Sequence, residues 1–131
     1  MDSHFSANRI LRMRATLEGL SVGDAYGEQA FRLRNLQAQL VSGSIPAGAW
    51  RYTDDTNMAL SIYELLIRHG SIDQDQLAQS FAKHFVPTRG YGHGARRLLI
   101  EIQNGGDWRT LSRQMFGGQG SFGNGAAMRV A

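Results

Sequence analysis

The chain has 131 residues, the length of one ordinary domain, and 42% of them are hydrophobic. Its net charge of +3 comes from scattered arginines, since Lys83 is the only lysine, whereas a nucleic-acid-binding face would cluster its cations among aromatic residues. The absence of cysteine excludes disulfides and thiolate chemistry, no apolar run reaches the length of a membrane span, and the N-terminus does not resemble a secretory signal. We therefore expect a cytoplasmic protein with neither a membrane nor a nucleic acid as its partner.

The predicted elements are helices along nearly the whole chain. Apolar positions recur at helical spacing over residues 8–22. Gly19, Gly23 and Gly27 then follow one helical turn apart. A row of glycines on one helix would let another backbone approach closely.

The clearest predicted helix begins after Thr53. Thr53 is suited to the N-cap, Asp54 and Asp55 favour the positive end of the helix dipole, and Gly70 is suited to the C-terminus. The apolar positions of this segment predict a broad buried face that includes Leu60, Ile62, Leu65 and Leu66.

Three further helical segments follow. Asp73 is suited to cap a helix that Pro87 stops, a glycine-rich turn leads to a helix over 95–103, and Asp107 is suited to cap a segment over 108–116. No alternating strand pattern occurs, so the pattern predicts an all-α fold. Residues 126–131 are typical of a helix start, and a natural domain seldom ends on one, so we expect the domain to continue beyond Ala131.

The segment Thr53-Asp54-Asp55-Thr56 carries the first candidate chemistry. Two carboxylates and a hydroxyl are hard oxygen ligands that suit Mg²⁺ or Mn²⁺ rather than zinc or copper. Consecutive side chains on a helix diverge by about 100°, so they share one ion only at a first turn. A purely structural interpretation, a capping threonine followed by dipole-favoured aspartates, also accounts for this segment.

Two other segments have chemical interest. The glycine-rich run over 117–125 leads straight into a helix start, where backbone N–H groups form an anion cradle, although such a run also suits a flexible connection. Asp24 and Glu28 lie among glycines, either in a cleft or as an ordinary exposed pair four residues apart. The histidines show no metal-ligand spacing, and Ser121 has no neighbouring base in the sequence.

Three motifs in this order resemble the ADP-ribosylglycohydrolase family. They are Gly-x-x-x-Gly-Asp-Ala-x-Gly near the start, Thr-Asp-Asp-Thr-x-Met at a helix start, and Gly-Asn-Gly-Ala-Ala-Met-Arg-x-Ala at the end. The resemblance covers essentially the whole chain and implies a compact multi-helix fold. It also implies that residues 1–131 are the N-terminal portion of a single truncated domain whose C-terminal half is absent.

The resemblance implies a hydrolase that removes ADP-ribose from a modified protein side chain, arginine above all, or from a small acceptor. The reaction is magnesium-dependent N- or O-glycosidic cleavage, and the partner is an ADP-ribosylated protein or a small molecule that contains ADP-ribose. Thr53, Asp54 and Asp55 match metal ligands of a two-magnesium site, in which Mn²⁺ is an alternative ion, and Asp54 and Asp55 match catalytic residues. The substrate-binding positions match Gly120, Ser121, Phe122, Gly123, Asn124 and Gly125.

Two departures from the family pattern affect these expectations. Members often carry a glutamate where this chain has Phe31. Glu28 lies in the same region, although at a different position, and is therefore the candidate catalytic carboxylate. The second metal motif of the family, Asp-x-Asp-Thr, is absent, and we expect these residues to be inactive by themselves. The alternatives are a non-catalytic ADP-ribose reader and a crystallin-like structural relative, although an intact Thr53-Asp54-Asp55 favours the enzyme.

Overall fold

The computed structural model describes residues 7–32, 38, 41–43 and 47–129. Five α-helices and two short 3₁₀ turns have defined bounds in this part of the chain: α1 (Ala7–Arg32), α2 (Asp54–His69), α3 (Gln74–Lys83), α4 (His93–Gln103), α5 (Trp108–Gln114), and the turns Met115–Gly118 and Ala127–Arg129. Residues 38, 41 and 42 are also helical. None of the described residues lies in a β-strand, so the predicted all-α fold is confirmed. No helix in these ranges is long and apolar enough to cross a membrane.

The predicted caps of α2 are confirmed. Thr53 has an extended backbone, and its side chain accepts a hydrogen bond from the Asp55 N–H. At the other end Gly70 is left-handed with a φ of 72°, and its N–H donates to the Leu66 carbonyl. The start of α2, and with it the position of Asp54 and Asp55, is therefore set by local hydrogen bonding.

The caps of α3 and α5 are also confirmed, because Asp73 accepts from the Gln76 N–H and Asp107 from the Thr110 N–H. α3 ends at Lys83, ahead of Pro87, because the N–H of the next residue closes onto carbonyls of the last turn. α4 begins two residues earlier than predicted, and the predicted helix start over 126–131 is a 3₁₀ turn in its described part. Residues 130 and 131 lie outside the described residues.

α1 is a single helix that continues ten residues beyond the predicted segment and contains the glycine row. The prediction that another backbone approaches this row is wrong for the described residues. Nothing lies within 4 Å of the position that a Cβ would take at Gly19, Gly23 or Gly27. The helix packs instead against α2.

The core lies among α2, α3 and α4. Its buried residues come from these helices and the segment before α4, and they are Met58, Ala82, Tyr91, Leu99 and Ile102. The predicted apolar face of α2 is only partly covered by the described residues: Leu65 is buried, whereas Leu60 is 41% exposed. The first turn of α2 thus joins this core on one side and faces α1 on the other.

Candidate active site

The first turn of α2 is held by a carboxylate from α1. Asp24 accepts four hydrogen bonds: from the Thr53 N–H (2.8 Å) and hydroxyl (2.6 Å), and from the Thr56 N–H (3.1 Å) and hydroxyl (2.6 Å). The interpretation of Asp24 as one half of an ordinary exposed pair with Glu28 is therefore wrong. The sequence contained a signal for it, since Asp24 lies within the first of the three motifs, but its partners are distant in sequence.

The segment before α4 holds the same turn from the opposite side. The Asp54 N–H donates to the Arg89 carbonyl at 2.7 Å. The Arg89 guanidinium lies 3.7 Å from the centre of the Tyr52 ring and donates to the Tyr52 carbonyl at 2.8 Å. Asn57 donates to the Tyr91 hydroxyl at 2.6 Å, and both side chains are buried. The backbone around Asp54 is consequently fixed before any ligand binds.

Asp54 and Asp55, which we call the carboxylate pair, carry poorly compensated negative charge. Burial raises the pKa of Asp54 above its usual range, and the nearby Asp24 raises it further. Burial likewise raises the pKa of Asp55, with added repulsion from Asp24 and Asp54. The cation Arg129 opposes both shifts but is the weaker influence. A cation bound here would relieve this repulsion.

Asp54 faces a cleft of about 660 Å³ that the glycine-rich loop also lines. The lining includes every predicted substrate-binding residue, namely Gly120, Ser121, Phe122, Gly123, Asn124 and Gly125. The structure thus brings one predicted metal ligand and the whole predicted loop together. Asp55 is not among the lining residues, and Thr53 lines a neighbouring pocket.

The loop itself is exposed and has a backbone that favours glycine. Gly120 has a φ of 86°, in the left-handed region. The Ser121 hydroxyl accepts a hydrogen bond from the Gly123 N–H at 3.0 Å, which closes a tight turn. Phe122 is fully exposed beside the cleft. This arrangement leaves the loop backbone close to whatever occupies the cleft.

Arg129 also lines the cleft, and our sequence reasoning did not identify it as a site residue. Its guanidinium lies 5.1 Å from the centre of the Phe81 ring and 3.1 Å from the Met58 sulfur. Burial lowers its pKa, whereas the charge of Asp54 opposes that shift. The available signal was an arginine inside an otherwise apolar helix start. Arg129 supplies positive charge on the wall of the cleft that Asp54 shares.

Glu28 lies outside this cleft. It lines a polar pocket of about 310 Å³ together with Thr53, Arg89 and Gly90. Phe31, which stands at the usual glutamate position, is 92% exposed. In the described ranges no three His, Asp or Glu side chains are grouped so that they could hold a metal ion. The described carboxylates alone therefore do not form a complete metal centre.

Comparisons with known proteins link the chain to one family. The sequence profile described as ADP-ribosylglycohydrolase matches residues 6–131. The chain is 32% identical over 143 residues to the ADP-ribosylhydrolase ARH3 of Homo sapiens and to that of Mus musculus, covering 96% of this chain and 39% of each relative. It is 32% identical over 131 residues to the ADP-ribosylhydrolase ARH3 of Danio rerio, covering 91% of this chain and 35% of the relative. The chain thus spans less than half the length of these curated relatives.

Proposed function

The chain belongs to the ADP-ribosylglycohydrolase family, and on that premise we propose that the complete protein hydrolyses the bond between ADP-ribose and its acceptor. The acceptor is a modified protein side chain, arginine above all, or a small molecule. Residues 1–131 then form the N-terminal portion of one domain. The observation that carries the proposal is the cleft of about 660 Å³ shared by Asp54 and the glycine-rich loop. That volume lies within the usual range of ligand pockets.

Within this proposal, Thr53, Asp54 and Asp55 hold Mg²⁺, with Mn²⁺ as an alternative and two ions in the complete site. Their hydroxyl and carboxylate oxygens are the donors that these ions prefer. Burial and, after it, repulsion from Asp24 raise the pKa values of the carboxylate pair, and a bound cation would relieve that repulsion, which supports the same assignment. Bound there, the metal would orient ribose hydroxyls and make a water molecule more acidic.

We assign diphosphate binding, water orientation and proton transfer to other residues of this chain. Backbone N–H groups of the loop over 120–125 donate to the diphosphate, and glycine at these positions permits the close approach. Asp54 orients a water molecule toward the anomeric carbon, while Arg129 keeps positive charge on the same wall. Glu28 is the further carboxylate available for proton transfer, from the adjoining pocket that it shares with Thr53.

The decisive experiment replaces Asp54 and, separately, Asp55 with Ala in the complete protein. We expect release of ADP-ribose from ADP-ribosyl-arginine to fall at least about tenfold, the usual minimum for lost metal ligands or their supports. Far-ultraviolet circular dichroism should show an unchanged fold. Asp73→Ala is the control, because Asp73 is also an aspartate at a helix start but caps α3 and does not line the cleft.

Each outcome of this experiment has a clear interpretation. Full turnover in both variants would remove the carboxylate pair from the reaction. A wild-type protein that binds ADP-ribose in calorimetry but releases none from any substrate, with or without Mg²⁺, would instead be an ADP-ribose reader.

A further inference from the structure

Asp24 connects α1 to both residues that flank the carboxylate pair. Its Oδ1 accepts from the Thr53 hydroxyl at 2.6 Å. Its Oδ2 accepts from the Thr53 N–H at 2.8 Å, the Thr56 N–H at 3.1 Å and the Thr56 hydroxyl at 2.6 Å. One carboxylate from a different helix therefore fixes the residue before the pair and the residue after it.

These bonds also determine the direction of the Thr53 hydroxyl. A hydroxyl has one hydrogen and two lone pairs. The Thr53 hydrogen is donated to Asp24, and one lone pair accepts from the Asp55 N–H at 3.4 Å. The second lone pair is left for a further partner. Without Asp24, the hydroxyl could rotate and present its hydrogen where a cation would bind.

We propose that Asp24 is a positioning residue that orients the Thr53 hydroxyl and the first turn of α2, and with that turn the carboxylate pair, for divalent-cation binding. This inference rests on the proposed function. Asp24 acts through Thr53 and Thr56, because all four of its hydrogen bonds go to them.

The test measures Mg²⁺ binding to the complete protein by titration calorimetry. Asp24→Asn replaces one acceptor oxygen with an NH₂ group that faces other donors, and we expect the dissociation constant for Mg²⁺ to rise at least about tenfold, about 1.4 kcal/mol. Thr56→Val, which removes one of the four bonds, should give a smaller rise, and Thr56→Ser should retain the wild-type value. With ADP-ribosyl-arginine as substrate, saturating Mg²⁺ should restore much of kcat while KM stays unchanged.

Asp107→Asn is the matched control. Asp107 accepts from the N–H and the hydroxyl of Thr110 at 2.9 and 2.6 Å, the same pair of bonds, at a helix start that does not line the cleft. Its variant should lose stability in urea without a change in Mg²⁺ affinity. Equal Mg²⁺ affinity in Asp24→Asn and Asp107→Asn would overturn the proposal and leave Asp24 a structural clamp.

Two further outcomes keep the test decisive. If Asp24→Asn does not fold, Thr56→Val and Thr56→Ser carry the comparison, and equal Mg²⁺ affinities in these two variants overturn the proposal. A wild-type protein that neither binds Mg²⁺ nor releases ADP-ribose would overturn the proposed function itself. A wild-type protein that does both, with unchanged Mg²⁺ affinity in the Asp24 and Thr56 variants, would overturn only the role of Asp24.

Discussion

Gly90 offers a way to test whether the Asp54 carboxylate is a metal ligand without replacing it. Gly90 has a φ of +87°, and a Cβ there would lie 3.7 Å from Asp54 Oδ1 and 3.8 Å from Thr53 Cβ. Gly105 has nearly the same φ of +89°, but nothing lies within 4 Å of its Cβ position. Gly90→Ala and Gly105→Ala therefore share the backbone strain and differ only in their surroundings.

This geometry sets the expected loss of stability and the expected loss of Mg²⁺ affinity. A left-handed alanine costs about 1–2 kcal/mol, so both variants should lose that much stability. The contacts at Gly90 are ordinary van der Waals distances and add no clash. The methyl group at position 90, however, would occupy space beside Asp54 Oδ1. If this costs a hydrated ion one hydrogen bond, worth about 1 kcal/mol, Mg²⁺ affinity falls about fivefold.

The assay combines thermal unfolding with calorimetric titration of Mg²⁺ in the complete protein. We expect a similar fall in Tm for Gly90→Ala and Gly105→Ala, at or below the roughly 2–4 °C per kcal/mol typical of 150–250 residues, because this chain covers only 39% of its longer relatives. Only Gly90→Ala should bind Mg²⁺ more weakly. Equal Mg²⁺ affinity in the two variants, with equal losses of stability, would refute the assignment of Asp54 Oδ1 as a ligand.

Three other predictions concern the loop, the carboxylate pair and the support of α2. Gly123→Val should weaken ADP-ribose binding in calorimetry, because a Cβ there already lies 3.1 Å from Ser121 Oγ; an unchanged dissociation constant would make the loop a mere connection. With Mg²⁺ removed by EDTA, the free energy of unfolding should fall as pH rises. The pKa values of the carboxylate pair are raised in the folded state, so the contribution of the pair to stability is fully present below the unfolded-state pKa and is lost as pH rises through the folded-state pKa. Urea unfolding at several pH values should show this decline. The decline should be smaller in Asp54→Asn, and Mg²⁺ should offset it at neutral pH. An equal decline in Asp54→Asn would contradict the prediction. Tyr91→Phe should cost about 1–3 kcal/mol in urea unfolding, since it leaves one buried amide hydrogen of Asn57 without its acceptor; an unaltered free energy of unfolding would show that this hydrogen has another partner.

The sequence was sufficient for the features that depend on neighbouring residues. The three N-cap residues each accept a hydrogen bond from a backbone N–H two or three residues later, and they are Thr53, Asp73 and Asp107. Their capping roles could therefore be predicted from residue type and position. The absence of alternating patterns predicted the all-α fold, and the order of three motifs identified the family. The helix ends were less certain, as α1 and α4 show, because several residues compete to begin or end a helix.

The tertiary structure decided which of these residues meet. Asp24 lies 29 residues before Thr53 and 32 before Thr56, and only the packing of α1 against α2 brings its carboxylate to them. Among the described residues, nothing lies within 4 Å of the Cβ positions of the glycine row of α1. Asp54 and Asp55 look equivalent in the sequence, yet only Asp54 lines the cleft.

The features that the sequence predicted and those that it did not differ in how far apart the interacting residues lie along the chain. A cap is a hydrogen bond within one helical turn, so residue type alone predicts it. A cleft is formed by segments far apart in the chain, and its walls depend on which helix faces are buried together. Arg129 and Asp54 are separated by 75 positions in the sequence, and they line one cleft because the final 3₁₀ turn packs against α2. The sequence determined the chemistry that was available, and the packing of the helices determined which groups can act together.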